Sequence, residues 1–319
     1  MRRSDASGFS QGWFPPDLRQ PRGRVFEGRL SATPGTDVTT ADVTAGTTLS
    51  YTESEGNLIS LPWKPGKWEA FELPRTPAGV YEITKTFIAS SPWAIASGSN
   101  YDVFGFLGPN GPDLELGPAW SSDTARSAAG ALTRRNGVRV LARDQSRVFL
   151  GTIRASGANT IEDSAAKRFL WNMYNRKLRH LFRTSTTTSW AQGNTNVWRQ
   201  ANAEAANEVY YVVGLDDRPV TARAVHSVLN SANSLIEAAA GIGIDSTTTN
   251  SAQQGASGAS GISSGGQMYL PCLAWYRGFP GLGYHRLVWI ERGNSVAQHT
   301  YSNGGLAGNP GGISAEIMA

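Results

Sequence analysis

Short runs of alternating apolar and polar residues recur along the chain, with turn-forming residues between them. Residues 57–63 and 67–73 flank Lys64-Pro65-Gly66, and residues 101–107 and 113–116 flank a segment of Gly, Pro and Asn. Alternation with period two is typical of a strand with one buried face, and Gly, Pro or Asn between two such runs indicates a turn. The sequence therefore predicts two β hairpins, at 57–73 and 101–116.

Similar runs predict further strands at 138–141, 147–153, 208–215, 241–246 and 283–291. Short strands spaced 8–12 residues apart, with turn signals between them, are typical of a sandwich or barrel. The interval 247–266 contains almost only small and polar residues. We predict it to be a long loop, and loops of that length are usually functional.

One segment, residues 162–182, has a helical pattern. It starts with acidic residues and ends with basic ones, which suits the helix dipole. Its apolar residues at i, i+1, i+4 and i+5 fall on one helical face: Phe169, Leu170, Met173 and Tyr174. We predict a helix here that connects two domains.

The predicted fold class is mainly β, with two β-sandwich-like or jelly-roll-like domains and an extended N-terminal arm. The predicted boundaries are 1–24 for the arm, 25–160 for the first domain, 161–182 for the helical connector and 183–319 for the second domain. Gly and Pro throughout the arm break helices and strands. Its aromatic and basic residues form either a segment that docks on a partner chain or an arm that packs on its own domain. The candidate attachment residues are Phe9, Trp13, Phe14, Arg19, Arg22 and Arg24.

Composition narrows the class of protein. Only 17% of residues are charged, against about 25% in ordinary domains, and 36 Gly, 31 Ser and 25 Thr replace them. The 10 Trp, 10 Tyr and 11 Phe can bury large areas, which argues against disorder. The net charge is +4, but the basic residues are spread along most of the chain, so we expect no nucleic-acid surface.

Targeting and redox signals are few. Cys272 is the single cysteine, so no intrachain disulfide framework exists. No apolar run approaches 18 residues, and none follows the N-terminal Met1 as a signal peptide requires. We therefore expect a protein that is made in the cytoplasm and is not inserted in a membrane.

The sequence offers no strong catalytic, cofactor or metal motif. The four histidines, His180, His226, His285 and His299, are too far apart for typical metal-ligand spacing. The Gly-x-Gly at Gly241 precedes a predicted strand instead of a helix, so it forms no phosphate cradle. We predict a non-enzymatic protein with no catalytic residue, no metal and no cofactor.

The sequence leaves two functional alternatives open, namely hydrolysis of a polysaccharide and binding of a sugar. A polysaccharide depolymerase needs two carboxyl groups roughly 5–10 Å apart, and the candidates are Asp216 with Asp217, Glu162 with Asp163, and Asp245 with Glu291. Tryptophans near predicted strands either stack on sugar rings or fill the core: Trp63, Trp68, Trp190 and Trp198.

An ordered series of segments over roughly residues 25–250 resembles a domain of structural proteins from tailed bacteriophages. The segments that carry the resemblance include Asp37 to Ala45, Tyr101-Asp102-Val103-Phe104, Leu114-Glu115-Leu116-Gly117-Pro118-Ala119-Trp120, Leu150-Gly151-Thr152-Ile153-Arg154, Glu162 to Asn172, Trp198 to Ala203 and Gly241 to Thr247. The arm and most of 267–319 lie outside it.

The resemblance implies a virion component, located in the virus particle and assembled in the host cytoplasm. A tail fibre, spike or tail-associated appendage is the leading prediction, with a capsid decoration or head fibre protein and a depolymerising tailspike as alternatives. The implied partners are further copies of the chain, as a homotrimer, and other tail or capsid proteins. A host-surface glycan facing the C-terminal domain is a further candidate.

Overall fold

A computed structural model describes residues 23–64, 67–193, 195–230, 236–260, 268–294, 299–302 and 311–319. These residues form a mainly β protein with sandwich-like packing of sheets, which confirms the predicted class. The strands of the first half are β1 Gly28–Ser31, β2 Val43–Gly46, β3 Thr48–Glu53, β4 Leu58–Lys64, β5 Lys67–Glu72, β6 Glu82–Thr86, β7 Asn100–Gly108, β8 Gly111–Ala119, β9 Leu132–Arg135, β10 Val138–Leu141, β11 Asp144–Gly157 and β12 Thr160–Asp163.

The remaining strands are β13 Lys167–Arg168, β14 Leu170–Asn172, β15 Leu178–Thr184, β16 Ser189–Gln192, β17 Arg199–Gln200, β18 Glu208–Val213, β19 Val220–Asn230, β20 Ile236–Ile244, β21 Gln254–Ser260, β22 Met268–Gly278, β23 Gly283–Arg292, β24 His299–Ser302 and β25 Gly312–Met318. Within the described ranges, helical structure consists of two 3-10 turns, Ala128–Gly130 and Ala201–Ala203. Both predicted hairpins are confirmed, since β4 pairs with β5 and β7 pairs with β8, each antiparallel.

The sheets divide into an N-terminal and a C-terminal group. In the first group, β1, β3 and β6 form a small sheet, and β8, β7, β11 and β14 pair in that order. In the second group, one sheet contains β18, β23 and β20, and the other contains β15, β25, β19 and β22. Strand β21 pairs with both β20 and β22, so it joins the two C-terminal sheets at one side.

The β7–β11–β14 sheet is buried on both faces. Val103, Leu150 and Leu170 belong to the hydrophobic core of the N-terminal group. Their sequence neighbours Phe104, Phe149 and Trp171 belong to the core of the C-terminal group. Because successive side chains of a strand point to opposite faces, this one sheet separates the two cores and contributes to both. The predicted domain boundaries therefore stay a prediction.

The predicted helix at 162–182 is wrong. The segment forms β12, β13, β14 and β15, and Asp163 lies opposite Arg168 in an antiparallel pair. The acidic residues at its start pair across a tight turn with basic residues a few positions later: Lys167 Nζ lies 2.9 Å from Glu162, and Arg168 Nη1 lies 2.9 Å from Asp163. Consecutive apolar residues such as Leu170 and Trp171 mimic a helical face because this strand is buried on both sides.

The predicted loop at 247–266 is also partly wrong. Residues 254–260 form β21, whose Gly255 pairs with Ala274 of β22. Small residues are compatible with a strand here because it lies close to its neighbours: a Cβ on Gly255 would lie 2.9 Å from the Leu273 carbonyl oxygen. Residues 261–266 lie outside the described ranges.

Candidate assembly surface

The outer face of the β15–β25–β19–β22 sheet carries large apolar side chains in contact with solvent. Leu178 and Phe182 of β15 are each 51% exposed, and Leu273 of β22 is 49% exposed. Leu178 and Phe182 share one face because they are four residues apart on a strand. We call this face the assembly surface, defined by Leu178, His180, Phe182, Arg223, Leu273, Ser314 and Glu316.

Register places these side chains next to each other across the strands. Ser314 of β25 lies opposite both Phe182 of β15 and Arg223 of β19. One row along, Glu316 lies opposite His180, and the His180 Nδ1 atom is 3.5 Å from Glu316 Oε1. The small Ser314 side chain between two large neighbours leaves a groove of about 310 Å³, whose lining includes Phe182, Arg223 and Glu316.

The inward face of β15 explains why its apolar residues point outward. Arg179 is 5% exposed, and its Nη2 atom lies 2.9 Å from Asp163 and 3.1 Å from the carbonyl oxygen of Thr39. Arg179 points inward and is ion-paired. Because successive side chains of a strand point to opposite faces, its neighbours Leu178 and His180 point outward. The sequence does not reveal this surface, because residues 176–180 fit the basic end of the predicted helix. In a strand, Leu178, His180 and Phe182 share one face because they are spaced two residues apart.

The predicted attachment residues fall mostly beyond the described part of the chain. Phe9, Trp13, Phe14, Arg19 and Arg22 lie outside the described residues. Arg24 is described: its Nη1 atom donates to the Asn136 carbonyl oxygen at 2.7 Å, and its guanidinium lies 4.7 Å from the centroid of the Trp68 ring. Arg24 thus contacts its own chain.

Two of the carboxylate pairs proposed for hydrolysis contain groups held by cations. Glu162 and Asp163 form the ion pairs described above, and Asp217 is held by Arg176, while Asp216 is exposed. The oxygens of these carboxylates contact neighbouring cations, and this geometry suits a structural ion pair.

The third pair is divided between two sites. Asp245 accepts from the backbone N–H of Arg286 and lies 2.8 Å from His285 Nδ1, and contacts with these two residues lower its pKa despite a partial burial that opposes them. Glu291 is fully buried and accepts from Trp190 Nε1 at 2.7 Å and Arg199 Nε at 2.8 Å. Burial raises the pKa of Glu291.

The described histidines lie in different environments. His226 is buried, and its Nδ1 atom accepts from Trp289 Nε1 at 3.1 Å. Burial lowers the pKa of His226 to about 3, so the ring stays neutral. Within the described ranges, no three His, Cys, Asp or Glu side chains converge as a metal site. Cys272 is buried, 3.4 Å from the Ala238 carbonyl oxygen.

The tryptophans divide into core and surface residues. Trp190 packs edge-to-face on Trp289, and both are buried. Trp68 and Trp198 are half-buried, each with an arginine over its ring. Trp63 is exposed. Trp190 thus fills the core, and the sugar-stacking alternative stays open for the exposed Trp63. No helix in the described ranges is long and apolar enough to cross a membrane.

Comparisons with known proteins do not identify a family for this chain. No family model and no curated protein matches the chain. A chain from the structure of infectious bursal disease virus Gx strain aligns with 7% identity and a TM-score of 0.26, over 88% of this chain and 65% of that one. The insecticidal delta-endotoxin Cry8Ea1 from Bacillus thuringiensis aligns with 6% identity and a TM-score of 0.23, over 92% and 52%. The chain spans less than two thirds of either, and neither likeness is high enough to carry an argument.

Proposed function

We propose that the chain is a non-enzymatic structural component of a tailed-phage virion, in a tail fibre, spike or tail-associated appendage. It forms a homotrimer, is attached through residues 1–24, and presents its C-terminal half to the host surface. The observation that carries the proposal is the assembly surface, where Leu178, Phe182 and Leu273 are each about half exposed.

The chemistry of this surface suits contact between protein chains. Interface cores are enriched in aromatic residues and Arg, and charged groups lie around them. Phe182 and Arg223 flank the groove, while Glu316 and His180 supply opposite charges when the imidazole is protonated. Apolar groups that a monomer would expose at a cost are covered when copies associate.

The pairing of the carboxylates supports a non-enzymatic role. Asp163 is shared by Arg168 and Arg179, and Asp217 is held by Arg176. These ion pairs connect separate segments of the chain in the region between the two cores. Stability from buried ion pairs and sheet packing suits a chain whose single cysteine allows no intrachain disulfide.

Mass spectrometry of purified particles tests the proposal most directly. We expect peptides of this chain at several copies per particle, and in the tail fraction when heads and tails are separated. Recovery in the head fraction would support a capsid decoration protein instead, and absence from particles would contradict the proposal.

The arm and the enzymatic alternative need their own experiments. Deleting residues 2–24 is expected to leave a folded oligomer that no longer joins particles, and normal incorporation would refute the attachment role. Incubating the purified protein with host capsule or lipopolysaccharide is expected to release no oligosaccharide. Release that is lost in Asp216→Asn or Asp217→Asn would establish a depolymerase.

A further inference from the structure

Trp63 has an unusual position for a tryptophan. It lies near the end of β4, where the strand approaches its hairpin turn, and is 43% exposed, while every other tryptophan in the described ranges is buried or half-buried. The Lys64 Nζ atom lies 4.0 Å from the centroid of the Trp63 ring. Exposing part of a large apolar ring to water has a cost, and the described contact on this ring is the cation–π contact with Lys64.

Trp63 borders a shallow depression of about 420 Å³ between the end of β4 and the turn that joins β10 to β11. The depression is lined by residues of the N-terminal group of sheets, whereas the assembly surface belongs to the C-terminal group. Its lining is otherwise mostly polar: Pro62, Lys64, Arg135, Asp144, Gln145 and Ser146. A volume in this range suits a small ligand, for which typical sites measure about 300–1,000 Å³.

The polar groups are held in place by local contacts. Asp144 Oδ1 accepts from the backbone N–H of Ser146 at 3.0 Å and from its hydroxyl at 2.6 Å. Arg135 Nη1 donates to the backbone carbonyl oxygen of Gln145 at 3.2 Å. Gln145 itself is exposed to solvent. The hydrogen bond from Ser146 lowers the pKa of Asp144, so this carboxylate is an ionised acceptor at neutral pH.

A flat aromatic ring beside planar hydrogen-bonding groups matches the two sides of a sugar. A pyranose has an apolar face of C–H groups, which packs on an indole, and a rim of hydroxyls, which bind carboxylate, amide and guanidinium groups. A protein partner would instead need a broader apolar core than one tryptophan provides.

We propose that this depression binds a pyranose unit of a polysaccharide, with the sugar ring stacked on Trp63 and its hydroxyls bound by Asp144, Gln145 and Arg135. The inference goes beyond the proposed virion role and does not depend on it, because a soluble glycan-binding protein would use the same site. It places a glycan contact in the N-terminal half of the chain, in addition to the C-terminal half that the proposed function turns toward the host surface.

The test is binding of the full-length protein to an array of neutral and acidic bacterial oligosaccharides. We expect wild type to bind at least one pyranose-containing member, Trp63→Ala to weaken that binding at least tenfold, and Gln145→Ala to weaken it a few fold. Trp63→Phe keeps a smaller aromatic face, so its binding is expected to be intermediate. The matched control is Phe279→Ala, because Phe279 is an aromatic residue 59% exposed away from this depression.

Three outcomes would overturn the proposal. They are no binding of the wild type to any array member, equal binding by Trp63→Ala, and an equal loss in Phe279→Ala. Thermal unfolding of each variant separates a binding defect from a folding defect, and the exposure of Trp63 and Gln145 predicts unchanged melting. Absence of the chain from purified particles would refute the virion role and leave this site untouched.

Discussion

The guanidinium of Arg176 holds the carboxylate of Asp217 through two parallel hydrogen bonds, 2.6 Å from Nη1 to Oδ1 and 2.7 Å from Nη2 to Oδ2. The Arg176 side chain is 8% exposed and lies 4.5 Å from the centroid of the Trp171 ring. This clamp joins the segment after β14 to the turn after β18. Asp217, which the sequence offered as a catalytic acid, therefore has a structural partner.

Replacing Arg176 with alanine is expected to lower the free energy of unfolding by about 2 kcal/mol or more, because the change leaves a carboxylate without its partner and uncovers Trp171. Urea unfolding followed by tryptophan fluorescence measures the effect. Arg183→Ala is the control, since Arg183 is exposed. Equal stability of Arg176→Ala and the control would show that the clamp contributes little.

The assembly surface predicts how single substitutions change the oligomer. Phe182→Asp is expected to shift the protein from the proposed trimer toward monomer, because a charge placed in an apolar contact loses its hydration. Light scattering coupled to size-exclusion chromatography gives the mass. Ile88→Asp is the matched control, as Ile88 is 57% exposed and lies on another part of the chain. A trimer that persists in Phe182→Asp would move the interface elsewhere.

His226 predicts a pH dependence with a defined sign. Its pKa is lowered by burial to about 3 in the folded protein, against an ordinary value of 6.5. The unfolded chain therefore binds one more proton than the folded one between these pH values, so stability falls as pH drops below 6.5, by about 1.4 kcal/mol per pH unit.

Comparison with His226→Gln isolates this effect. Glutamine can still accept from Trp289 Nε1 but does not titrate, while Glu291 and the other acids titrate in both proteins. Urea unfolding at pH 7, 5.5 and 4.5 is expected to show a smaller loss of stability in His226→Gln than in wild type. Parallel losses would mean that His226 does not govern the acid response.

Gly151 lies where two chain segments approach too closely for any side chain. A Cβ at this position would be 2.2 Å from the Trp171 carbonyl oxygen and 2.7 Å from Leu30 Cδ1. Gly151→Ala is expected to destabilise the protein by about 2–3 kcal/mol, since the backbone of β14 must move. Gly193→Ala, where a Cβ meets nothing within 4 Å, is the control. Calorimetry that gives the same melting temperature for both variants would contradict the expected clash.

The sequence by itself determined the strand class and the local hairpins. Alternation and turn residues are sufficient at β4–β5 and β7–β8, because such a hairpin depends on neighbours in the chain. Composition also identified a protein rich in turns, with few charges. Each of these properties is local or additive, so no tertiary contact is needed to infer it.

Only the tertiary structure decided which residues pack against each face of a strand. Leu170 and Trp171 are adjacent, yet they are buried in different cores, and local periodicity cannot represent a strand packed on both sides. The same limit applies to surfaces: Trp63 and Trp190 look equivalent in the sequence, but Trp190 is buried against Trp289 whereas Trp63 is 43% exposed. Burial depends on residues that are distant in the chain, so the fold decides which residues lie in the core and which lie at the surface.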